Sequence, residues 1–348
     1  MPLSVQVLLD IKTKLGVVDM QPEPAAAEME FTERESFFRS DAAQKLLAFA
    51  SLIVMFIVFS LASPNFARFT NIVGILLSTA VNGILAVGVS FIIITGGIDL
   101  SIGTVMTLSA VMAGVVITFW QLPIFLGILA GIATGALCGC INGTTVAKMK
   151  IPPFIATLGM MMIAKGLSLV ISGTKPIYFV DTPAFRKMAM GTVLGIPNAV
   201  LIFFCSAIVA SLILTKTILG RYTFALGSNE EAARLSGINV DRWKIGVYTF
   251  GGMFSGLAGI IMASRLNSAQ PALGQGYELE AIAAVVIGGT SLNGGEGSIL
   301  GTVIGAFIMS VLTNGLRILS IPQEWQTVVI GAIVILAVYM DIIRRRRR

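Results

Sequence analysis

TGGIDLSIG, residues 95 to 103, sets Asp99 beside two glycines at the edge of an apolar run. A charge carried to the centre of a membrane span costs about 2.5 to 3.5 kcal/mol on insertion scales, so this carboxylate needs a partner or a polar cavity. Gly96 and Gly97 can break a helix here, freeing backbone groups that water or protein must satisfy. Two readings stand: a broken or re-entrant segment lining a cavity, and a turn in which Asp99 caps the next helix. A second interruption, GGTSLNGGEGS at 288 to 298, supplies Asn293 and Glu296. Two such breaks suit a bundle that moves or conducts. Asn82 and Asn142 are further polar groups within apolar runs, and with Asp99, Asn293 and Glu296 they form the candidate set for a path or its gates.

ALGSNEEAARLSGINVDRWK, residues 225 to 244, is a short charged stretch between long apolar ones. Ser228 and Glu231 have capping-box spacing, Asn229 is an alternative cap, and Gly237 stands where a helix ends in a left-handed residue. The pattern predicts a helix of about two turns, which is marginal in water and has to lean on something. Ala232 and Ala233 offer a low surface, Leu235 and Ile238 apolar contact, and Glu230, Glu231 and Arg234 charge-assisted bonds. The support is either the chain's own body or a partner. Lys165, inside an apolar run, has three options: pairing with a carboxylate, which we favour, facing a polar cavity, or reaching an interface along its own stem. Glu278 and Glu280 are placed to flank an outer mouth, meeting a basic residue of an external partner or water.

Several chemistries are excluded or disfavoured. The chain has no histidine, which removes imidazole acid/base catalysis, His-Cys zinc sites and a serine-histidine pair. Cys138, Cys140 and Cys205 lie in apolar stretches and read as packing residues, so no metal site and no catalytic residue is expected. The phosphate-binding pattern G-x-x-x-x-G-K-[ST] is missing, so the chain is expected not to hydrolyse ATP or hold a cofactor itself.

The elements that must position these residues are membrane helices. The 348 residues are 55% hydrophobic and 12% charged, with mean hydropathy +0.89, whereas soluble domains are about 25% charged. Runs near 20 apolar residues predict an all-α polytopic bundle of about ten spans: 46–62, 72–95, 102–119, 123–146, 154–172, 194–215, 244–263, 279–293, 298–315 and 325–343. Residues 1–45 form an acidic, proline-bearing tail expected to be disordered, in which Leu8, Ile11, Leu15 and Val18 recur at helical spacing; 46–343 form the membrane domain, and 344–348 are a basic C-terminus. With both termini in the cytoplasm, basic residues concentrate in the inner connections, as the positive-inside rule requires. The terminal arginines read as an anchor beside anionic lipid, not as a nucleic-acid site. NGTTVAKMKIPPFIATLG from Asn142 echoes NGLRILSIPQEWQTVVIG from Asn314, compatible with an inverted repeat of five spans.

GRYTFALGSNEEAARLSGINVDRWKIGVYTFGG and LGQGYELEAIAAVVIGGTSLNGGEGSILGTVIGA, together with TGGIDLSIG and INGTTVAKMKIPPFIATLG, resemble the ribose/xylose/galactose-type permeases of bacterial ATP-binding-cassette (ABC) importers. The likeness covers about residues 46–343. It implies a type II importer permease fold in the inner membrane, two permease copies, a cytoplasmic ABC ATPase that uses ATP and Mg, and a periplasmic sugar-binding protein. It implies that Asn229, Glu230, Ala232, Ala233, Arg234 and Gly237 belong to a coupling helix seated in the ATPase, and that alternating access moves a monosaccharide or related polyol. Ser228 stands where glycine is more usual, and the leading tail is longer than the family needs. A self-sufficient channel or ion-coupled carrier is the rival reading, disfavoured by the few ionisable residues deep in the bundle; a membrane enzyme is the third.

Overall fold

The computed structural model describes residues 41–346, so the tail before Asp41 and its spaced apolar residues lie outside the described residues. Five helices come first: α1 Asp41–Ala62, α2 Phe69–Ile94, α3 Ile102–Gly114 running on through a π-helical turn Val115–Phe119, α4 Ile124–Ala147 and α5 Pro153–Ser172. A connection follows with β1 Ile177–Tyr178, α6 Pro183–Met190, β2 Thr192–Val193 and β3 Ile196–Pro197, then α7 Asn198–Lys216, α8 Ile218–Ser228 and α9 Glu230–Leu235. The rest comprises α10 Val240–Leu266, β4 Ser268–Ala269, α11 Tyr277–Ile287, α12 Ile299–Ile318 and α13 Gln323–Arg346. The two-residue strands make two antiparallel pairs, β1 with β4 and β2 with β3.

Among the described residues nine helices are long and apolar enough to cross a membrane, and α2, α3, α10 and α12 are the most buried of them. Apolar side chains around the whole circumference suit either a bundle centre or contact with lipid. The expected span 279–293 is the exception. Its helix, α11, has 11 residues, about 16 Å of rise against a hydrocarbon layer of about 30 Å. Gly288 and Gly289 stop it, the latter at φ 91°.

The end of the bundle carrying α9 also holds the links 95–101 and 288–298, because Gly295 N–H donates to the carbonyl of Ile94 at 2.9 Å. Since α11 leads into that loop, the chain between α10 and α11 has to descend into the bundle before α11 begins. Lys165, in the body of α5, donates to Gln275 Oε1 at 3.0 Å and ties this descending segment. The partner of Lys165 is therefore an amide, not the carboxylate favoured from sequence.

One glycine seam holds the centre. Gly127, Gly131, Gly135, Gly139 and Gly143 recur every four residues along α4. Three of them face the backbone of α10, where a Cβ on Gly135 or Gly139 would strike the carbonyl oxygen of Gly252 or Tyr248, and one on Gly143 would lie 2.7 Å from Ile245 Cα. Small residues at this spacing let membrane helices approach backbone to backbone, the main source of packing energy where lipid is as apolar as leucine. The sequence echo also has a structural counterpart. Lys150 and Ser320, each preceding Ile-Pro, both adopt φ 57° before the next helix starts.

Candidate functional site

Two places collect the polar residues. The first is a cavity of about 640 Å³ bounded by α2, the start of α11, and the ends of α10, α12 and α13 remote from α9. Asn82 and Glu280 meet in it. Asn82 Nδ2 donates to Glu280 Oε2 at 2.5 Å. That bond orients the amide while Glu280 is ionised, since turning Oδ1 toward the carboxylate would then oppose two acceptors. Asn82 Oδ1 is left buried with no hydrogen-bond partner among the described residues, an arrangement that folded proteins rarely leave unexplained. Arg265 and Arg317, in the last turns of α10 and α12, line the same space with Tyr277.

Glu278 also borders this cavity but turns back on its own loop, both oxygens accepting from Gly276 N–H at 3.0 and 3.1 Å. It is buried, and Glu280 is half-buried. The two carboxylates placed at an outer mouth by sequence thus lie in the cavity wall. Arg265 and Arg317, which the sequence analysis does not single out, are the additional members of this site. No local pattern marks them, because α10 and α12 have to be assembled before their last turns face each other.

Asp99 belongs elsewhere. It is buried, with Oδ1 accepting from Ser101 N–H at 2.8 Å and Ser101 Oγ–H at 2.6 Å, while Asn142 Nδ2 reaches Ser101 Oγ at 2.9 Å and Asp99 Oδ2 at 3.4 Å. Burial pushes the carboxyl above its ordinary range, and the bonds from Ser101 and Asn142 pull the other way. The structure brings Asp99 and Asn142 together as a closed knot between α2, α3 and α4, apart from the residues lining the large cavity. Asn293 and Glu296 are exposed on the glycine loop at the α9 end.

The second place is α9. Of the two candidate caps, Asn229 acts: its Oδ1 accepts from Ala232 N–H at 3.0 Å. Ser228 cannot, since α8 continues through it. Gly237 closes the motif at φ 83°. One face leans inward, where Ala233 packs in a small cluster with Leu226, Ile238, Val240 and Trp243. Glu230 binds Lys244 at 2.6 Å and Arg234 at 3.3 Å. The other face is open: Ala232 and Arg234 are exposed, and Leu235 is 87% exposed. Immediately before α9, a Cβ on Gly227 would overlap the carbonyl oxygen of Ile94 and lie 2.5 Å from Gly295 N. The chain entering α9 therefore presses, backbone on backbone, on both glycine-broken links.

Residues 71–338 match the family described as "Branched-chain amino acid transport system / permease component". The chain is 42% identical over 312 residues to the ribose import permease protein RbsC of Bacillus subtilis, covering 89% of this chain and 96% of the relative. It is 43% identical over 294 residues to its Escherichia coli K12 namesake, covering 84% and 91%. The fructose import permease protein FrcC of Rhizobium meliloti is 39% identical over 309 residues, covering 87% and 85%. No solved structure matches. Nine apolar helices among the described residues, a polar cavity and this extent of likeness converge, and the chain belongs to the binding-protein-dependent permease family, among the simple-sugar permeases of ABC importers.

Proposed function

We propose that the chain is the membrane-spanning subunit of an ATP-driven importer that moves a monosaccharide or related polyol, ribose first among the candidates, across a bacterial inner membrane. Two copies form the path, both termini face the cytoplasm, a cytoplasmic ATPase consumes ATP and Mg, and a periplasmic protein delivers the sugar. The observation that carries this reading is α9. A six-residue helix is capped at Asn229 and Gly237, seated on its own chain through Ala233 and Glu230, and left with Leu235 bare. A short helix capped at both ends, braced on its own chain and open along its outer face suits a partner's cleft.

The mechanism follows the contacts. A partner that grips Ala232, Arg234 and Leu235 moves α8 and α9 together, because Asn229 and Gly237 resist local unwinding. Gly227 then bears on Ile94 at the end of α2 and on Gly295 after α11. Those two elements carry Asn82 and Glu280, so the displacement arrives at the cavity wall as relative movement of a hydrogen-bonded pair. Packed elements of this kind shift between discrete arrangements and do not stretch. Asp99, Ser101 and Asn142 keep the adjoining link rigid, and Asn293 and Glu296 sit on the loop that has to follow. We place Glu278 and Glu280 in the path and not at the binding-protein surface. Proteoliposomes containing the chain with its ATPase, ATP and binding protein should accumulate sugar, and those lacking the ATPase should not; uptake by the chain alone would favour a self-sufficient carrier.

A further inference from the structure

We propose that the cavity between α2, α11 and α12 is a recognition site within the permease for a neutral polyhydroxylated ligand, with Asn82 as its reading residue. This rests on the reading of the chain as a sugar permease. Asn82 is 5% exposed, its Nδ2 is committed to Glu280, and its Oδ1 lacks any partner among the described residues while the side chain borders the cavity. That oxygen is closed off from the open cavity, so Asn82 has to turn to meet a ligand; a buried carbonyl oxygen without a donor is costly, and pairing with a ligand hydroxyl offsets the turn. Glu280 adds carboxylate acceptor capacity on the same wall, and Arg265 and Arg317 supply guanidinium donors on the others. Adjacent hydroxyls, each both donor and acceptor, match such a mixed wall. Two carboxylates, Glu278 and Glu280, balance the two arginines, so the wall has no net charge to draw an anion or a cation in preference to a neutral ligand. Tyr277 adds an aromatic surface for the apolar face of a ring, and about 640 Å³ lies within the range of small-molecule sites. Selectivity would then reside in the permease as well as in whatever delivers the ligand.

The test uses the purified full-length chain with Cys138, Cys140 and Cys205 replaced by alanine and a single reporter, Ser78→Cys, on the cavity wall. The rate at which a polar maleimide modifies the reporter is measured against D-ribose, L-arabinose, D-fructose and, as controls, sodium gluconate and glucosamine. The expected result is saturable protection by at least one neutral sugar and none by the charged controls. Asn82→Leu should raise the half-protecting concentration about tenfold, the scale of one lost hydrogen bond, with the unprotected rate unchanged. If Asn82→Leu does not insert, Arg317→Gln carries the same expectation. Absence of protection by every neutral sugar, equal protection by the charged controls, or full protection in both variants overturns the proposal. No ATPase is present, so a failure here is distinct from a failure of ATP-dependent uptake.

Discussion

Replacing Gly135 with alanine adds one methyl group at the point where α4 and α10 touch. Its Cβ would strike the carbonyl of Gly252 and lie 2.8 Å from Gly256 N, where ordinary contact begins at 3.4 Å, and both neighbours are backbone that no rotamer change can move. The clash with the Gly252 carbonyl is the tighter one, so the helices have to separate by roughly 1 Å at that level, a shift the rigid seam passes to Gly131 and Gly139. Overpacking of this kind costs about 1 to 3 kcal/mol. The comparison is Gly166→Ala on α5, whose Cβ meets nothing within 4 Å. That change removes a flexible residue from a helix interior and should be neutral or stabilising by up to about 1 kcal/mol. Thermal unfolding of both purified variants in one detergent, followed by tryptophan fluorescence, gives the ordering. Gly135→Ala should melt below the parent and Gly166→Ala at or above it. Equal midpoints would refute a backbone-on-backbone seam.

Asn229→Ala removes the cap of α9, worth about 1 kcal/mol, and should lower sugar uptake per ATP hydrolysed while insertion is unchanged; Ser228→Ala should do neither. Arg234→Ala and Glu230→Ala should uncouple hydrolysis from uptake or loosen the ATPase, and the Glu230–Arg234 ion pair itself adds about 1 kcal/mol or less because both its side chains are more than a third exposed. Unchanged transport with unchanged ATPase affinity in both variants would count against the assignment. Asp99 has a raised folded pKa, so its ionisation weakens the folded state as pH climbs from the ordinary carboxylate value through the folded one. Asp99→Asn should flatten that decline in melting temperature; an identical pH profile would oppose it.

Most membrane helices were legible because a run of about 20 apolar residues has few alternatives. Ala281–Ile287 read as part of a span because its apolar run continues to the glycines; only the descent of the preceding segment, tied by Lys165 to Gln275, shows that α11 starts inside the bundle. The glycines of α4 are visible in the sequence at spacing four, a signal that could have located the α4–α10 seam, although α10 could not be named from it. Ser228 and Asn229 both satisfied cap chemistry, and the choice fell to where α8 ends. Asn82 was legible as a polar group in an apolar run. Its orphaned oxygen, and the convergence of Glu280, Arg265 and Arg317 beside it, required four separate elements to be assembled. Asp99 matched a re-entrant segment and a capped turn equally well; its bonds to Ser101 and Asn142 make it a sealed link.

On the proposed mechanism, this chain moves sugar only when driven through α9. Proteoliposomes holding the chain and its ATPase, with binding protein and radiolabelled D-ribose, L-arabinose and D-fructose as probes, test it directly. Uptake of at least one sugar should require ATP and be lost on Leu235→Asp without loss of the inserted chain. Uptake that persists with the ATPase omitted, or that Leu235→Asp leaves intact, would contradict it.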